Sequence, residues 1–178
     1  APGTFQHTMF VVILAEACAS ELGSDIGLVR TGTLCPDVGK TLRPEYFIEN
    51  QMGQPNPHDL LNDPWRSAQN IKEHVTGGLK LAQKHRLPEL LQTFIPEHQG
   101  TIAIAYFLHK AKEQSPEPID EDEFRYEGPI PQSRETGIVM LADACEAALR
   151  SLGSDTTMEA ANEMLMRIFK SRCDDGKL

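Results

Sequence analysis

Residues 134–152, RETGIVMLADACEAALRSL, carry apolar side chains at intervals of three and four residues. This spacing is typical of an α-helix with one apolar face, and it recurs through nearly every other segment of the 178-residue chain. We find no clean alternation of apolar and polar residues, which is the mark of a half-buried strand. The sequence therefore predicts an all-α fold without strands.

Asp143 lies in the middle of this predicted helix, within the apolar run VMLADACEAAL. A buried carboxylate without a partner is strongly destabilising, so Asp143 needs a metal ion or one of the 17 lysine and arginine side chains. His7, His74 and His98 each lie on or at the end of a predicted helix that has an apolar face. Taken singly, each histidine is better explained as a surface or hydrogen-bonded core residue, but Asp143 makes a shared site an alternative.

The other predicted helices are separated by two long loops. Asp63 and Pro64 are typical of a helix start, because the carboxylate caps the helix and proline is tolerated in the first turn. The glycines at 77–78 are expected to break that helix, and Thr156 with Glu159 has the spacing of a capping box. The predicted helices are about 4–22, 26–34, 63–76, 88–100, 102–113, 134–152 and 157–173, and the loops are 42–62 and 115–133.

Length and charge limit the classes of function. A chain of this length with 40% hydrophobic residues is predicted to form one domain, residues 1–178. The formal net charge of −9 argues against a nucleic acid or an anionic membrane surface as partner, because both attract basic patches. The apolar run MFVVILA at 9–15 is too short to span a bilayer, so we expect a soluble piece. Helix-like sequence begins almost at the first residue, which suggests a domain excised from a longer chain.

The four cysteines, Cys18, Cys35, Cys145 and Cys173, are scattered without a Cys-x-x-Cys pair. Cys18 and Cys145 lie among alanines in helical patterns. We therefore expect buried free thiols at these two positions, and a reducing compartment.

Seven segments resemble one known family in their order and approximate spacing. These segments are GTFQHT, DVGKTLRPEYFIENQ, NPHD, IKEHV, EHQGT, FRYEGPIPQSRE and IVMLADACEAALRSL. In them the chain is similar to the HD phosphohydrolase domain found in seven-transmembrane HD proteins. The resemblance spans about residues 3 to 170, and the blocks PEYFIENQ and RYEGPIPQS are far more specific than a histidine–aspartate pair alone. It implies an HD-domain helical bundle with long ordered loops.

The resemblance also implies a centre of two divalent metal ions, iron or manganese. Asp37 would bridge both ions. The remaining ligands would be divided between them, with His74 and His98 on one ion and His7 and Asp143 on the other. Neutral imidazoles and carboxylates suit such ions, and paired metal ions in phosphate-cleaving sites lie about 3.5–4 Å apart. Lys40 would offset the charge of a phosphate, so Asp37 and Lys40 are the predicted catalytic residues.

The family's activity is hydrolysis of cyclic di-AMP to the linear dinucleotide pApA, on the cytoplasmic side of a membrane. The resemblance therefore implies a cyclic dinucleotide as partner, and membrane attachment only through a part of the protein outside these residues. A homodimer is one assembly that it allows. The loops PEYFIENQ and RYEGPIPQS are expected to recognise the nucleotide. Their candidate contact residues are Tyr46, Asn50, Arg125, Tyr126 and Gln132.

Two positions depart from the family pattern. Gln99 stands where many relatives have a second histidine. Pro36 stands where the motif that names the family requires a histidine, directly before Asp37, and proline has no atom that binds a metal. Proline also cannot donate to the carbonyl of Gly32 and disfavours helical geometry at Cys35, so we expect Cys35 to be extended and Asp37 to be re-aimed. We therefore expect one metal ion, or incomplete occupancy, instead of two.

Three hypotheses follow from these observations. The first is a metal-dependent cyclic-dinucleotide phosphodiesterase, impaired by Pro36. The second is a catalytically inactive signalling domain that binds the cyclic dinucleotide without cutting it. The third is a helical scaffold in which the histidines have no metal-binding role.

Overall fold

The structure, a computed structural model, describes residues 1–153, 155–174 and 176. Ten α-helices lie in these described ranges: α1 (Pro2–Leu22), α2 (Ile26–Thr33), α3 (Ile48–Gln51), α4 (Pro57–Leu61), α5 (Pro64–Lys84), α6 (Glu89–Gln92), α7 (Phe94–Glu97), α8 (Ala105–Gln114), α9 (Arg134–Ser151) and α10 (Met158–Asp174). Three 3₁₀ helices cover Pro36–Leu42, Pro44–Tyr46 and Glu121–Phe124. The only β pairing among the described residues is one isolated antiparallel bridge between Ala103 and Arg125. The predicted all-α class is confirmed.

The ends of the long helices follow the expected capping chemistry. The side chain of Asp63 accepts a hydrogen bond from the backbone N–H of Arg66, and Pro64 occupies the first turn of α5. Helix α9 begins with a capping box, in which Ser133 and Thr136 each accept a backbone N–H from the other. These caps satisfy N–H groups that would otherwise lack partners, and they set where α5 and α9 begin.

The predicted break at Gly77 and Gly78 is wrong, because α5 continues through both glycines. Gly78 packs closely against the backbone of the 3₁₀ helix Pro36–Leu42, which we call the 36–42 segment, whereas Gly77 faces only the side chain of Leu42. A Cβ atom on Gly39 would lie 1.8 Å from the carbonyl oxygen of His74 and 2.7 Å from the backbone nitrogen of Gly78. The backbones of the 36–42 segment and α5 are therefore in contact at Gly39 and Gly78, where neither segment has room for a side chain.

Other predicted boundaries also need correction. The loop at 42–62 contains α3, α4 and a 3₁₀ turn, and the single helix expected after Pro88 is divided into α6 and α7. The hydroxyl of Thr157, and not that of Thr156, accepts the N–H of Ala160 in the first turn of α10. The capping box expected from Thr156 and Glu159 is therefore wrong.

The cysteine predictions are confirmed only in part. All four cysteines are free, and Cys145 is buried. Cys18 is exposed, although helical spacing puts it on the same side of α1 as Val11 and Ala15, which are packed in the core. Helical spacing shows which residues share a face of α1, but it does not show where the neighbouring helices stop covering that face.

Two clusters of buried apolar side chains hold the helices together. The first joins α1, α2, α7 and α9 through Val11, Ala15, Ala19, Val29, Phe94, Ile138, Val139 and Ala142. The second joins α5, α8 and the 3₁₀ helix at 121–124 through Ala68, Phe107, Ala111 and Phe124. Because the first cluster fastens α1 to α9, His7 on α1 and Asp143 on α9 come within contact of each other.

No helix in the described part of the chain combines the length and the apolar character that crossing a lipid bilayer requires.

We expect Gly39→Ala to destabilise the protein by about 2–3 kcal/mol or more, because the added methyl group would force the 36–42 segment away from α5. Gly77→Ala is the matched control. Its Cβ would meet only the end of the exposed Leu42 side chain, which can move, and alanine favours the helix by about 1 kcal/mol. Denaturant unfolding of both variants measures the difference, and an equal effect of the two substitutions would contradict the backbone contact.

Candidate metal centre

His74 on α5 and His98, directly after α7, form a buried pair whose ring nitrogens face each other. Nδ1 of His74 donates to the carbonyl of Ile71 at 2.6 Å, and Nδ1 of His98 donates to the carbonyl of Ile95 at 2.6 Å. A neutral ring held in this way carries its lone pair on Nε2, and the two Nε2 atoms are 3.5 Å apart. Two acceptors at this distance repel each other unless a cation or a shared proton lies between them.

Asp37, in the 36–42 segment, adds a carboxylate oxygen to this pair. Its Oδ1 lies 3.8 Å from Nε2 of His74 and 3.6 Å from Nε2 of His98. Oδ1 is buried and has no hydrogen-bond partner among the described residues. A buried carboxylate oxygen without a donor is costly, so this atom together with the two imidazole lone pairs fits a divalent cation. The three donor atoms lie within 4.8 Å of one another.

The other oxygen of Asp37 faces a second group of donors. Nε2 of His7 lies 3.4 Å from Oδ2 of Asp37 and 2.9 Å from Oδ1 of Asp143. The donor atoms of these three residues also lie within 4.8 Å of one another. Asp37 therefore belongs to both groups, with one oxygen directed at each, as a carboxylate that bridges two metal ions must be.

Lys40 is the buried cation of this region. Its Nζ lies 2.9 Å from Oδ2 of Asp37 and 2.9 Å from Oε1 of Glu49, and it stands 5.2 Å from the ring centre of Phe47. Burial favours the neutral amine, but the two carboxylates outweigh burial and raise the pKa of Lys40 above its usual value. Burial would likewise raise the pKa of Asp37, yet Lys40 and His7 hold it well below its usual value. Asp37 is thus ionised and Lys40 is protonated at neutral pH.

The two groups differ in the state of their histidines. Burial lowers the pKa of His74 to about 4, so its ring is neutral at neutral pH, which is the form that binds metals. Burial also disfavours the charged form of His7, but hydrogen bonds to Asp143 and Asp37 raise the pKa of His7 to about 10. We call Asp37, His74 and His98 the first group and His7, Asp37 and Asp143 the second group. A metal ion in the second group would have to displace a proton from Nε2 of His7. In the first group, the lone pair of His74 is already free.

Pro36 does not turn Asp37 away, and the expectation that it would is wrong. Cys35 is in the right-handed helical region, with φ −97° and ψ −35°, and not extended. Pro36 is the first residue of the 36–42 segment, where a backbone N–H has no partner within the helix, so the missing donor costs little. The side chain of Cys35 lies 3.7 Å from the carbonyl oxygen of Thr31 and belongs to neither donor group.

The predicted nucleotide contacts divide into two sets. Tyr126 is buried at the centre, with its ring 5.9 Å from that of His74. Asn50 lies beside the centre, where its side chain is hydrogen-bonded to Thr4. The other three make their contacts elsewhere. The ring of Tyr46 packs on His58, Arg125 reaches Thr101 and Asp122, and the backbone of Gln132 donates to Glu97.

Two buried carboxylates at the centre were not predicted. Glu146 lies three residues after Asp143 on α9, and its Oε2 contacts Nδ1 of His7. Its position inside the same apolar run was the signal that could have identified it, as it identified Asp143. Glu49 holds Lys40 from the short helix α3, and nothing in its sequence surroundings distinguishes it from a surface glutamate.

The profile of the HD domain matches residues 4–148 of the chain. The chain belongs to the HD domain family. An uncharacterized protein of Synechocystis sp., slr0104, is 57% identical to it over 100% of this chain and 22% of its own length. The cyclic-di-AMP phosphodiesterase PgpH of Listeria monocytogenes is 42% identical over 99% of this chain and 24% of its own length. This HD domain chain thus spans about a quarter of the length of the curated relatives that it matches.

A solved structure confirms the HD domain fold. The crystal structure of the L. monocytogenes PgpH HD domain in complex with cyclic-di-AMP matches with a TM-score of 0.95 at 42% identity. The match covers 99% of this chain and 81% of that one. The helical bundle that the sequence resemblance implied is therefore the observed fold.

We expect excess Mn²⁺ to raise the melting temperature of the protein, because an ion that binds only the folded state stabilises it by about 2.7 kcal/mol at roughly a hundred times its Kd. His98→Ala should lose most of this shift, since it removes one lone pair from the first group. His109→Ala, an exposed residue on α8, should keep it. Each variant is compared with its own metal-free melting temperature, so lost packing cancels. An undiminished shift in His98→Ala would contradict the assignment of the first group.

Proposed function

We propose that this HD domain hydrolyses a phosphodiester bond of cyclic di-AMP to give pApA, with divalent metal ions. The observation that carries the proposal is the buried arrangement of His74, His98 and Asp37. There, two imidazole lone pairs and an unpartnered carboxylate oxygen converge. The substrate class is supported by one relative, PgpH of L. monocytogenes, which is named as a cyclic-di-AMP phosphodiesterase and whose HD domain is solved in complex with cyclic-di-AMP.

The donor chemistry supports manganese or iron as the metal. Imidazole nitrogens and carboxylate oxygens are borderline to hard ligands, and no thiolate belongs to either group of donors in the described residues. We propose that His74, His98 and Asp37 hold the tighter ion and that His7, Asp143 and Asp37 hold the weaker one. Metal ions held at these groups supply Lewis acidity toward the phosphate and make a nucleophile available near neutral pH.

The protein's own residues supply orientation and charge. Asp37 keeps the two groups at a fixed separation, because each of its oxygens faces one of them. Lys40 is held between Asp37 and Glu49 and presents a fixed positive charge that offsets a phosphate. Tyr126 and Asn50 are the predicted nucleotide contacts nearest the centre, and Tyr46, Arg125 and Gln132 remain predictions for the outer part of the nucleotide.

Pro36 is the reason to propose reduced activity. The second group has three donors, and the residue that would supply a further imidazole is a buried proline. Losing even an outer partner of a metal ligand costs roughly ten- to a hundredfold in affinity or activity, and losing a ligand should cost at least as much. We therefore propose incomplete occupancy of the second group, with one ion bound tightly.

The second candidate function is a cyclic-dinucleotide-binding domain without turnover. Pro36 favours it, because a centre that holds one ion has lost half of the positive charge that faces the phosphate. We further propose, on the family resemblance alone, that the domain lies on the cytoplasmic side of a membrane. It would be attached there through another part of the protein, with a homodimer as one assembly to test.

We expect the unmodified chain with excess Mn²⁺ to convert cyclic di-AMP to pApA slowly, and Asp37→Asn to lower that rate at least roughly a hundredfold because both metal groups lose their shared ligand. Asp59→Asn, an exposed carboxylate beside Lys110, is the control and should leave the rate unchanged. Pro36→His should raise both the number of bound Mn²⁺ ions per chain and the rate. Product chromatography and metal analysis provide the two readouts.

The outcomes separate the candidate functions. Binding of cyclic di-AMP by the unmodified chain without any product supports the binding domain and rejects the phosphodiesterase. Two tightly bound ions in the unmodified chain would contradict the role given to Pro36. A Pro36→His variant that loads both ions without a gain in rate would place the defect elsewhere.

A further inference from the structure

Glu146 is a buried carboxylate that lies outside the two groups of donors. It follows Asp143 by three residues on α9, so both side chains project from the same face of the helix. Both reach the same imidazole on α1, since Asp143 contacts Nε2 of His7 at 2.9 Å and Glu146 contacts Nδ1 of His7. Glu146 is 7% exposed, and Arg150, one turn further along α9, lies 3.4 Å from the same Oε2 atom.

The three candidate histidine ligands are oriented in different ways. His74 and His98 each donate Nδ1–H to a carbonyl of the residue three positions earlier, so their own backbone fixes each ring. Among the described residues, the ring of His7 has only side-chain partners, and its Nδ1 faces the side chain of Glu146. The direction of His7 therefore depends on a residue of another helix.

A carboxylate beside Nδ1 determines which nitrogen of His7 is available to a metal ion. With the Nδ1 proton donated to Glu146, Nε2 becomes the ligand atom once its own proton is displaced. Histidines that bind metals nearly always donate their other N–H to a carboxylate or a carbonyl, and this partner fixes the ring orientation. Rotation of the ring would break both carboxylate contacts at once.

We infer that Glu146 is the positioning residue of His7, which directs Nε2 toward the metal position shared with Asp37 and Asp143. The inference rests on the proposed function, because it concerns the weaker of the two metal groups. Pro36 supplies no imidazole to that group, so His7 is its only histidine. The orientation of this one ring should then have a large effect on the affinity of the group.

Glu146→Leu tests the inference by removing the acceptor with little change in volume. Arg150 loses a partner but is partly exposed and stays hydrated. We expect the weaker class of Mn²⁺ site to lose roughly ten- to a hundredfold in affinity and the tighter class to be unchanged. Titration of the whole 178-residue chain with Mn²⁺, followed by the electron paramagnetic resonance signal of free Mn²⁺, measures both classes. Glu146→Gln keeps an acceptor oxygen and should restore most of the affinity.

A His7→Ala background distinguishes positioning from a general effect on the fold. If Glu146 acts through His7, Glu146→Leu should cause no further loss of Mn²⁺ affinity there. Glu113→Leu is the matched control, because Glu113 also faces Nδ1 of a histidine, His109, but on the surface of α8. That variant should leave both classes of site unchanged.

A spectroscopic measurement on the unmodified chain tests the same point without any substitution at Glu146. With Zn²⁺ as a diamagnetic ion, ¹⁵N spectra should show His7 with a proton on Nδ1 and a metal-shifted Nε2, assigned by comparison with His7→Ala. Metal coordination through Nδ1 would overturn the inference.

The remaining outcomes are distinct for the two proposals. If no Mn²⁺ binds to the unmodified chain, the proposed function fails. If one ion binds and no second class appears, this inference fails while a one-metal centre stands. If two classes appear and Glu146→Leu changes neither, or acts equally in the His7→Ala background, only the positioning role is overturned.

Discussion

The carboxylate of Asp37 is ionised, buried and shared between two sets of donors, and most of the structure near it serves to hold it in that state. Oδ1 faces two imidazole lone pairs, and Oδ2 faces the imidazole of His7 and the ammonium of Lys40. A buried charge of this kind is tolerated only when its partners are fixed in place. Two of those partners, His7 and His74, come from α1 and α5, the longest of the described helices, while His98 directly follows α7 and Lys40 lies in the 36–42 segment itself.

The position of Asp37 follows from backbone packing. The 36–42 segment lies directly on α5 at Gly39, so Asp37 and His74 have a fixed relation that does not depend on side-chain packing. Glu49 contacts the ammonium group of Lys40, and Lys40 in turn offsets the charge of Asp37. Pro36 fits this backbone without distortion, since it begins a 3₁₀ helix. Under the proposed function, Pro36 lacks a metal ligand, while the donor atoms of His7, Asp37 and Asp143 still lie close together.

How much of this could be predicted from sequence depended on the residue. Asp143 is predicted from its apolar surroundings, because a carboxylate buried in such a run needs a partner. His7, His74 and His98 were ambiguous one by one, and their convergence came from family resemblance, since pairing of distant helices leaves no local pattern. Glu146 had the same local signal as Asp143 and was overlooked.

The errors at Gly77 and Gly78 and at Cys35 share a cause. Glycine and proline have strong local preferences, but each of these residues is governed by a tertiary contact or by its place in a short helix. Gly78 in α5 costs helix propensity and gains a backbone contact with Gly39, and the sequence shows only the first effect. A proline at position 36 disfavours helical backbone geometry at Cys35. The turn into the 36–42 segment nevertheless places Cys35 in that geometry.

Anomalous scattering from crystals grown with Mn²⁺ tests the central claim most directly, because it locates the ions without reference to activity. We predict a strong peak between Oδ1 of Asp37 and the Nε2 atoms of His74 and His98. We also predict a weaker peak, or none, beside His7 and Asp143. An absent peak at the first position, or a stronger peak at the second, would contradict the claim.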